Sequence, residues 1–262
     1  MLPDFSALGT LAVRYEGMVA HVSLNRPEVK NAMNFQMVAD LHSVFSGLRG
    51  VREVRVIVLR GTGGTFCAGG DIKEMRENTV PATESAGNLD AMLRACNTAE
   101  QVVVAVIEGA ALGGGFGLAC VSDIAIAEAN CVFGWPEVRL GIAPAYISPF
   151  VIQRVGFTRA RELMLTGRRF KGDMALEYHI AHHLAPADQL EQKLAEVLAD
   201  LKQCAPSAIA AIKALIFEVS AKSLDDTVNY RANLLNRLRS SAEAQEGMLA
   251  FMQKRPAQWA QD

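Results

Sequence analysis

Two β-branched runs in this chain each empty directly into a cluster of glycines, and that repetition restricts fold and chemistry more than any other feature. Val56-Ile57-Val58-Leu59 leads into residues 61–71, which hold Gly61, Gly63, Gly64, Gly69 and Gly70. Val102 to Ile107 leads into residues 109–118, which hold Gly109, Gly113, Gly114, Gly115 and Gly117. Glycine so concentrated lowers stability unless the backbone needs a left-handed turn or must approach something closely. Each loop opens a helical pattern, and N–H groups at the mouth of a helix attract negative charge. That charge is a phosphate, or a carbonyl oxygen turning into an enolate. No Lys-Ser or Lys-Thr follows the glycines as a P-loop requires, and loop 61–71 lacks the spacing of a dinucleotide fingerprint. Two loops side by side, each aiming one N–H at a single oxygen, form the minimal receptor for an enolate.

Around these loops the periodicity alternates. Leu11, Val13 and Tyr15, then Ala20, Val22 and Leu24 across Glu16-Gly17, predict a hairpin. Met37, Val38, Leu41, Val44, Phe45 and Leu48 follow helical spacing behind Asn34 as N-cap. Ile124-Ala125-Ile126 reads as a further strand, so strands and helices alternate in an α/β protein with a largely parallel sheet. Residues 76–90 are polar with little periodicity and read as a mobile segment flanking a site. After about residue 157 the pattern is helical throughout, with Leu190, Leu194, Val197, Leu198 and Leu201 forming one apolar stripe of the kind that is core or subunit interface.

The chain has 262 residues, half of them hydrophobic, enough for one large domain or a domain with an appendage. A net charge of −2 argues against a dominant nucleic-acid or membrane-surface role. No apolar stretch approaches the ~20 residues of a membrane span, and Met1-Leu2-Pro3-Asp4-Phe5 does not read as a secretory signal. Five cysteines without Cys-x-x-Cys spacing suggest free thiols in a cytoplasmic protein. Cys67 lies inside a glycine loop without an evident partner base, so it reads as a small filler residue. His179, His182 and His183 lack the further ligands of a closed metal site and read as a solvated helix end; no metal is expected.

Residues 66–75 (Phe66-Cys67-Ala68-Gly69-Gly70-Asp71-Ile72-Lys73-Glu74-Met75) and Ala111-Leu112-Gly113-Gly114-Gly115 resemble the two signature loops of the crotonase (enoyl-CoA hydratase/isomerase) superfamily. Supporting pieces stand in family order at residues 24–33, Phe133-Gly134-Trp135-Pro136-Glu137, Leu165 to Phe170, and Phe251 to Pro256. The resemblance implies a crotonase-like stacked ββα superhelix over residues 1–200 and a C-terminal helical oligomerisation region over 201–262. It also implies a homotrimer or hexamer acting on acyl-CoA, with CoA part of the substrate and no separate cofactor.

Carried over residue by residue, the motif makes the backbone N–H groups of Ala68 and Gly114 the oxyanion donors and Glu137 the acid/base. Phe133 and Trp135 beside Glu137 supply an apolar wall that raises a carboxyl pKa toward working pH; without the motif, Glu137 is a solvated glutamate at a turn. Main chain at Ala68, Gly70, Asp71 and Ile72 is expected to hold CoA. Arg26 and Lys254 are candidate phosphate partners, Lys254 from a neighbouring subunit. The chain departs from the family where hydratases carry a second glutamate, two residues after the triple glycine: here stands Gly117.

Residues 140–150, with Tyr146 and Ser148 as candidate substrate contacts, resemble the bacterial 3-methylglutaconyl-CoA and isohexenylglutaconyl-CoA hydratases, whose substrates carry a carboxylate near the double bond. The implied reaction is hydration of such a branched enoyl-CoA, the substrate carboxylate helping to order the water. A double-bond isomerase with one glutamate, a decarboxylase, and a non-catalytic acyl-CoA- or RNA-binding scaffold are the alternatives.

Overall fold

The computed structural model describes residues 1–77 and 82–261. They divide into two compact units, Met1–Leu194 and Ala195–Asp262. In the first unit the expected hairpin forms from β1 (Leu11–Glu16) and β2 (Val19–Leu24), paired antiparallel with Leu11 opposite Leu24. The Asn34 side chain accepts from the Met37 N–H at 2.9 Å and starts α1 (Phe35–Gly47), whose Met37, Val38, Leu41, Val44 and Phe45 are buried. Then come β3 (Val56–Gly61), α2 (Ile72–Glu77), α3 (Ala82–Asn97) and β4 (Val102–Ile107). β5 (Ala110–Leu112), α4 (Gly114–Val121), β6 (Ile124–Glu128) and β7 (Val132–Gly134) follow. The unit continues through α5 (Ser148–Thr166), β8 (Arg169–Phe170), α6 (Gly172–Glu177) and β9 (His183–Ala185).

A six-stranded sheet runs β1-β2-β3-β4-β6-β9, parallel from β2 onward. β4 lies inside it with all its residues buried, as a continuous apolar run requires of a strand covered on both faces. Each fully buried valine or isoleucine there contributes roughly 1.5–3 kcal/mol relative to exposure. A three-stranded sheet, β5-β7-β8, is the second layer, and single bridges tie Cys67 to Ala111 and Met33 to Gly70. Phe116 of α4 packs on Trp135 at 3.8 Å between ring centroids and edge-on to Phe133 at 6.0 Å, locking the helix onto this layer.

Two expectations change, and a third resolves to one of its two alternatives. The region after residue 157 is not helical throughout: β8 and β9 interrupt it, and β9 completes the large sheet. Of the segment 76–90, residues 78–81 lie outside the described residues, while 82–90 open α3 instead of a loop. The stripe on α7 (Leu190–Lys202) is largely core, with Leu190, Leu194 and Val197 buried. Exposed apolar side chains of the second unit are found instead on α8 (Pro206–Ser220), α9 (Val228–Arg239) and α10 (Ala242–Met252), among them Ile212, Ile216, Leu235, Phe251 and Met252. Among the described residues, no single helix is long and apolar enough to cross a membrane.

His179, just beyond α6, holds φ 60°, a conformation that costs an L side chain roughly 1–2 kcal/mol. Its ring is exposed, so removing it forfeits little packing. His179→Gly is expected to stabilise the protein by roughly 0.5–1 kcal/mol, after glycine's larger unfolded-state entropy is deducted. Urea denaturation measures this; a loss of stability contradicts it.

Candidate active site

The first glycine loop is held from both sides. On one side Cys67 donates to the Ala110 carbonyl at 2.9 Å and accepts from the Leu112 N–H at 3.0 Å, extending β5. On the other, Met33 donates to the Gly69 carbonyl at 2.7 Å and accepts from the Asp71 N–H at 2.9 Å. Asn31, fully buried at φ 54°, braces the far end: its Nδ2 donates to the Thr62 and Thr65 carbonyls at 2.9 and 2.6 Å. Its Oδ1 accepts from the Arg26 N–H at 2.8 Å. Arg26 itself reaches the Ala32 carbonyl at 2.6 Å and the Asp71 carboxylate at 3.1 Å. The guanidinium predicted to meet phosphate thus already clamps the loop, and burial aside, this contact and the Glu74 and Lys73 N–H groups hold the Asp71 carboxyl below its ordinary range.

These bonds correct one assignment. The Ala68 N–H is not available to a substrate, because it donates to the Lys30 carbonyl at 3.0 Å. Since Met33 takes the Gly69 carbonyl and Asp71 N–H, the intervening Gly70 presents its own N–H to the opposite edge, where β5 runs on into Gly113 and Gly114. Gly70, expected only to hold CoA, therefore has an open N–H on the edge toward the second loop.

The loops touch. A Cβ on Gly69, whose φ is +105°, would sit 3.2 Å from the Leu112 carbonyl oxygen. Gly113 donates to the Gly134 carbonyl at 3.0 Å, and Gly117 makes the first in-helix bond of α4, back to the Gly113 carbonyl at 3.0 Å. The N–H groups of Gly114, Gly115 and Phe116 are those a helix's first turn leaves without an internal partner. Gly114 thus keeps the open N–H expected of it.

Glu137 comes in from the turn Pro136–Leu140, closed by Gly141 at φ 77°. Its Oε1 lies 2.9 Å from the point a Cβ on Gly113 would occupy, so only glycine admits the carboxyl to the mouth of α4. Its buried Oε2 has no hydrogen-bond partner. Burial raises the carboxyl above its ordinary value, partly offset by a backbone N–H. Glu137 is therefore a half-buried acid with one unsatisfied oxygen, beside an open helix N-terminus.

At Gly117 the expected vacancy is filled. A Cβ there would meet Ile147 Cγ2 at 2.6 Å and Ile147 Cβ at 3.1 Å, with Leu93 Cδ2 at 3.8 Å. Ile147 is 3% exposed, whereas its neighbour Tyr146, a predicted substrate contact, is turned out at 39%. The Ser148 hydroxyl donates to the Ala145 carbonyl at 2.9 Å. Ile147 escaped the sequence reading, although it is the one branched apolar residue between Ile142 and Phe150. Ile72 is exposed at the start of α2. Lys254 is exposed in the second unit, at φ 53° after α10.

Two other candidates have structural surroundings. Burial pushes the Cys67 thiol up to about 11, so it stays neutral and unreactive. His182 Nδ1 accepts the Ala125 N–H at 2.9 Å, joining the β6 edge. Among the described residues, no three His, Cys, Asp or Glu side chains converge as metal ligands.

Comparison with known proteins supports the family and the fold. Residues 14–262 match the family model for enoyl-CoA hydratase/isomerase. A short-chain-enoyl-CoA hydratase of Clostridium acetobutylicum is 31% identical over 95% of this chain and 96% of its own. A carnitinyl-CoA dehydratase of Proteus mirabilis is 31% identical over 95% and 98%. Among solved structures, Pseudomonas aeruginosa AtuE superposes with TM-score 0.93 at 45% identity, over 96% of this chain and all of that one. An enoyl-CoA hydratase/isomerase from Marinobacter aquaeolei gives 0.92 at 40%, over 96% and 99%.

The raised Glu137 pKa has a stability signature. The folded state binds this proton more tightly than the unfolded chain, so ionisation costs stability above the folded pKa and costs nothing below the unfolded value near 4.5. Glu137→Gln is expected to gain stability relative to wild type as pH rises from about 4 through the folded pKa, the difference then levelling off. Denaturant midpoints across that range test it; a pH-independent difference contradicts it.

Proposed function

The chain belongs to the enoyl-CoA hydratase/isomerase family, and from that premise we propose that it hydrates a branched, carboxylated enoyl-CoA such as 3-methylglutaconyl-CoA or isohexenylglutaconyl-CoA. That it is an enzyme of this type acting on acyl-CoA follows from the family; its substrate class and residue roles are our reading. The observation that carries it is the single buried carboxyl at Gly113, with Ile147 where a second group would project from α4. The run 140–150, which resembles hydratases of carboxylated substrates, adds to it.

In this reading the thioester oxygen lies between the N–H groups of Gly70 and Gly114. Glu137 takes a proton from water as the water oxygen bonds to the β-carbon. The π pair moves onto the α-carbon and thioester oxygen as an enolate, which the two donors stabilise; removing one such donor typically costs about 3–4 kcal/mol. Glu137 then returns the proton to the α-carbon, so the product has gained one water. The substrate carboxylate supplies the second hold on the water. Main chain around Gly70, Asp71 and Ile72 holds CoA, and Lys254 meets its phosphates from a neighbouring subunit.

Double-bond isomerisation is the second reading, favoured by the same solitary carboxyl, which moves one proton between carbons without a water. Mass spectrometry of 3-methylglutaconyl-CoA, 3-enoyl-CoA and crotonyl-CoA incubations separates the two. A product of unchanged mass contradicts hydration.

We further propose a homotrimer or hexamer. Ile212, Ile216, Leu224, Leu235, Phe251 and Met252 are each at least half exposed, more apolar surface than a soluble helical unit ordinarily leaves bare. Cys67, Cys96, Cys120 and Cys131 are buried and form no disulfide, which suits a reducing cytoplasm.

Glu137→Gln is expected to keep CoA affinity and lower turnover by roughly a hundredfold or more, the scale of a lost general acid–base. Solvent deuterium enters the α-carbon with wild type and not with the variant. Near-normal turnover contradicts the assignment. Light scattering is expected to give a multiple of 28.3 kDa; a stable monomer contradicts the assembly.

A further inference from the structure

Gly113 caps α4 and Gly117 lies one turn into it, tied to it by the Gly117 N–H bond to the Gly113 carbonyl at 3.0 Å. Each position has an occupant: Glu137 Oε1 over 113 and Ile147 Cγ2 over 117. At the cap stands a carboxyl with an unpartnered buried oxygen; one turn on stand the branched alkyl group of Ile147 and, near the same point, Leu93. A water bound between protein groups needs two or more polar partners. Among the side chains at these two positions Glu137 is the polar one; Ile147 and Leu93 offer no polar group.

Ile147 is held firmly in that place. It is 3% exposed, its carbonyl accepts the Val151 N–H at 3.1 Å at the start of α5, and its β-branch restricts χ1. Nothing larger than hydrogen fits at 117 unless Ile147 shifts or shrinks, because both its Cβ and its Cγ2 crowd that point.

We infer that Ile147 is the specificity-determining residue of this site. It closes the position on α4 from which a second polar group would hold water beside Glu137, so only an acyl chain that brings its own polar group near the double bond is turned over efficiently. An unsubstituted enoyl-CoA leaves the water with Glu137 as its one side-chain partner. The inference rests on the proposed acyl-CoA hydration with Glu137 as acid/base, and it names the element that excludes simpler substrates.

The test compares kcat/KM for hydration of 3-methylglutaconyl-CoA and crotonyl-CoA in wild type, Gly117→Glu, Gly117→Glu with Ile147→Ala, and Ile147→Asn. Wild type is expected to favour the carboxylated substrate strongly. The double variant provides both the second carboxyl and the room for it. Its preference is expected to fall by roughly a hundredfold, the contribution of one added acid–base group, chiefly through kcat on crotonyl-CoA. Gly117→Glu alone is expected to leave crotonyl-CoA turnover unimproved, because its side chain collides with Ile147. Ile147→Asn leaves α4 untouched and puts a polar group at position 147 itself, so it lowers the preference even if the double variant fails to fold. A folded double variant or Ile147→Asn with the wild-type preference overturns the inference, as does Gly117→Glu alone matching the double variant. If wild type hydrates neither substrate while the double variant hydrates crotonyl-CoA, the proposed substrate class fails and the role of Ile147 stands.

Discussion

The backbone pairing of residues 67–71 between Met33 and β5 is the constraint on which the site depends. A strand segment has N–H groups on two edges, and here both edges are claimed at alternate positions. Lys30 takes the Ala68 N–H and Met33 the Asp71 N–H, so the pairing removes those two donors and leaves the Gly70 N–H open. The selection is only as rigid as the segment that makes it. Residues 30–33 are therefore anchored by Asn31, whose three hydrogen bonds fix a left-handed backbone, and by Arg26, which joins Ala32 to Asp71. A free loop would have to be ordered as charge develops on the thioester; this one is ordered beforehand, which is how backbone donors become catalytically useful.

The second loop obeys the same economy by different means. Phe116, Phe133 and Trp135 form a buried cluster that fixes α4 on β7 and brings Pro136-Glu137 back toward the helix mouth. Gly113, with φ 48° and ψ −117°, lets the chain leave β5 and leaves room for the Glu137 carboxyl. Packing, turn geometry and the acid's pKa therefore share one cause: the burial that seats the aromatic rings also raises Glu137.

Legibility in the sequence followed the range of the interaction. The hairpin, α1 with its Asn34 cap, β3, β4 and β6 are specified by neighbours within a few residues, and each is readable from period and capping chemistry. β8 and β9 have only two and three residues, too few to express a period, and sit among helical patterns. Glu137 and Gly114 stand in motifs that a resemblance transfers intact. The open donor of the first loop is not transferable in that way, because Lys30, 38 positions earlier in the chain, removes Ala68 from the set. Ile147 was hidden for the same reason: a glycine at 117 reads as a missing carboxylate, whereas only the packed chain reveals what occupies its space.

That occupancy changes the electrostatics as well as the shape. In a site with two neighbouring carboxylates, each raises the other's pKa by repulsion, and water screens part of the effect. Here the shift at Glu137 has burial as its leading cause. On the proposed reading, a substrate carboxylate arriving beside Glu137 adds repulsion only when the active site is occupied, which raises the proton affinity of Glu137 and strengthens its carboxylate as the base toward water. The protein then need not maintain a second buried charge in the empty site, where an unpaired ion costs stability. Ile147 instead contributes apolar packing at that position, and on the proposed reading the polar partner enters with the substrate.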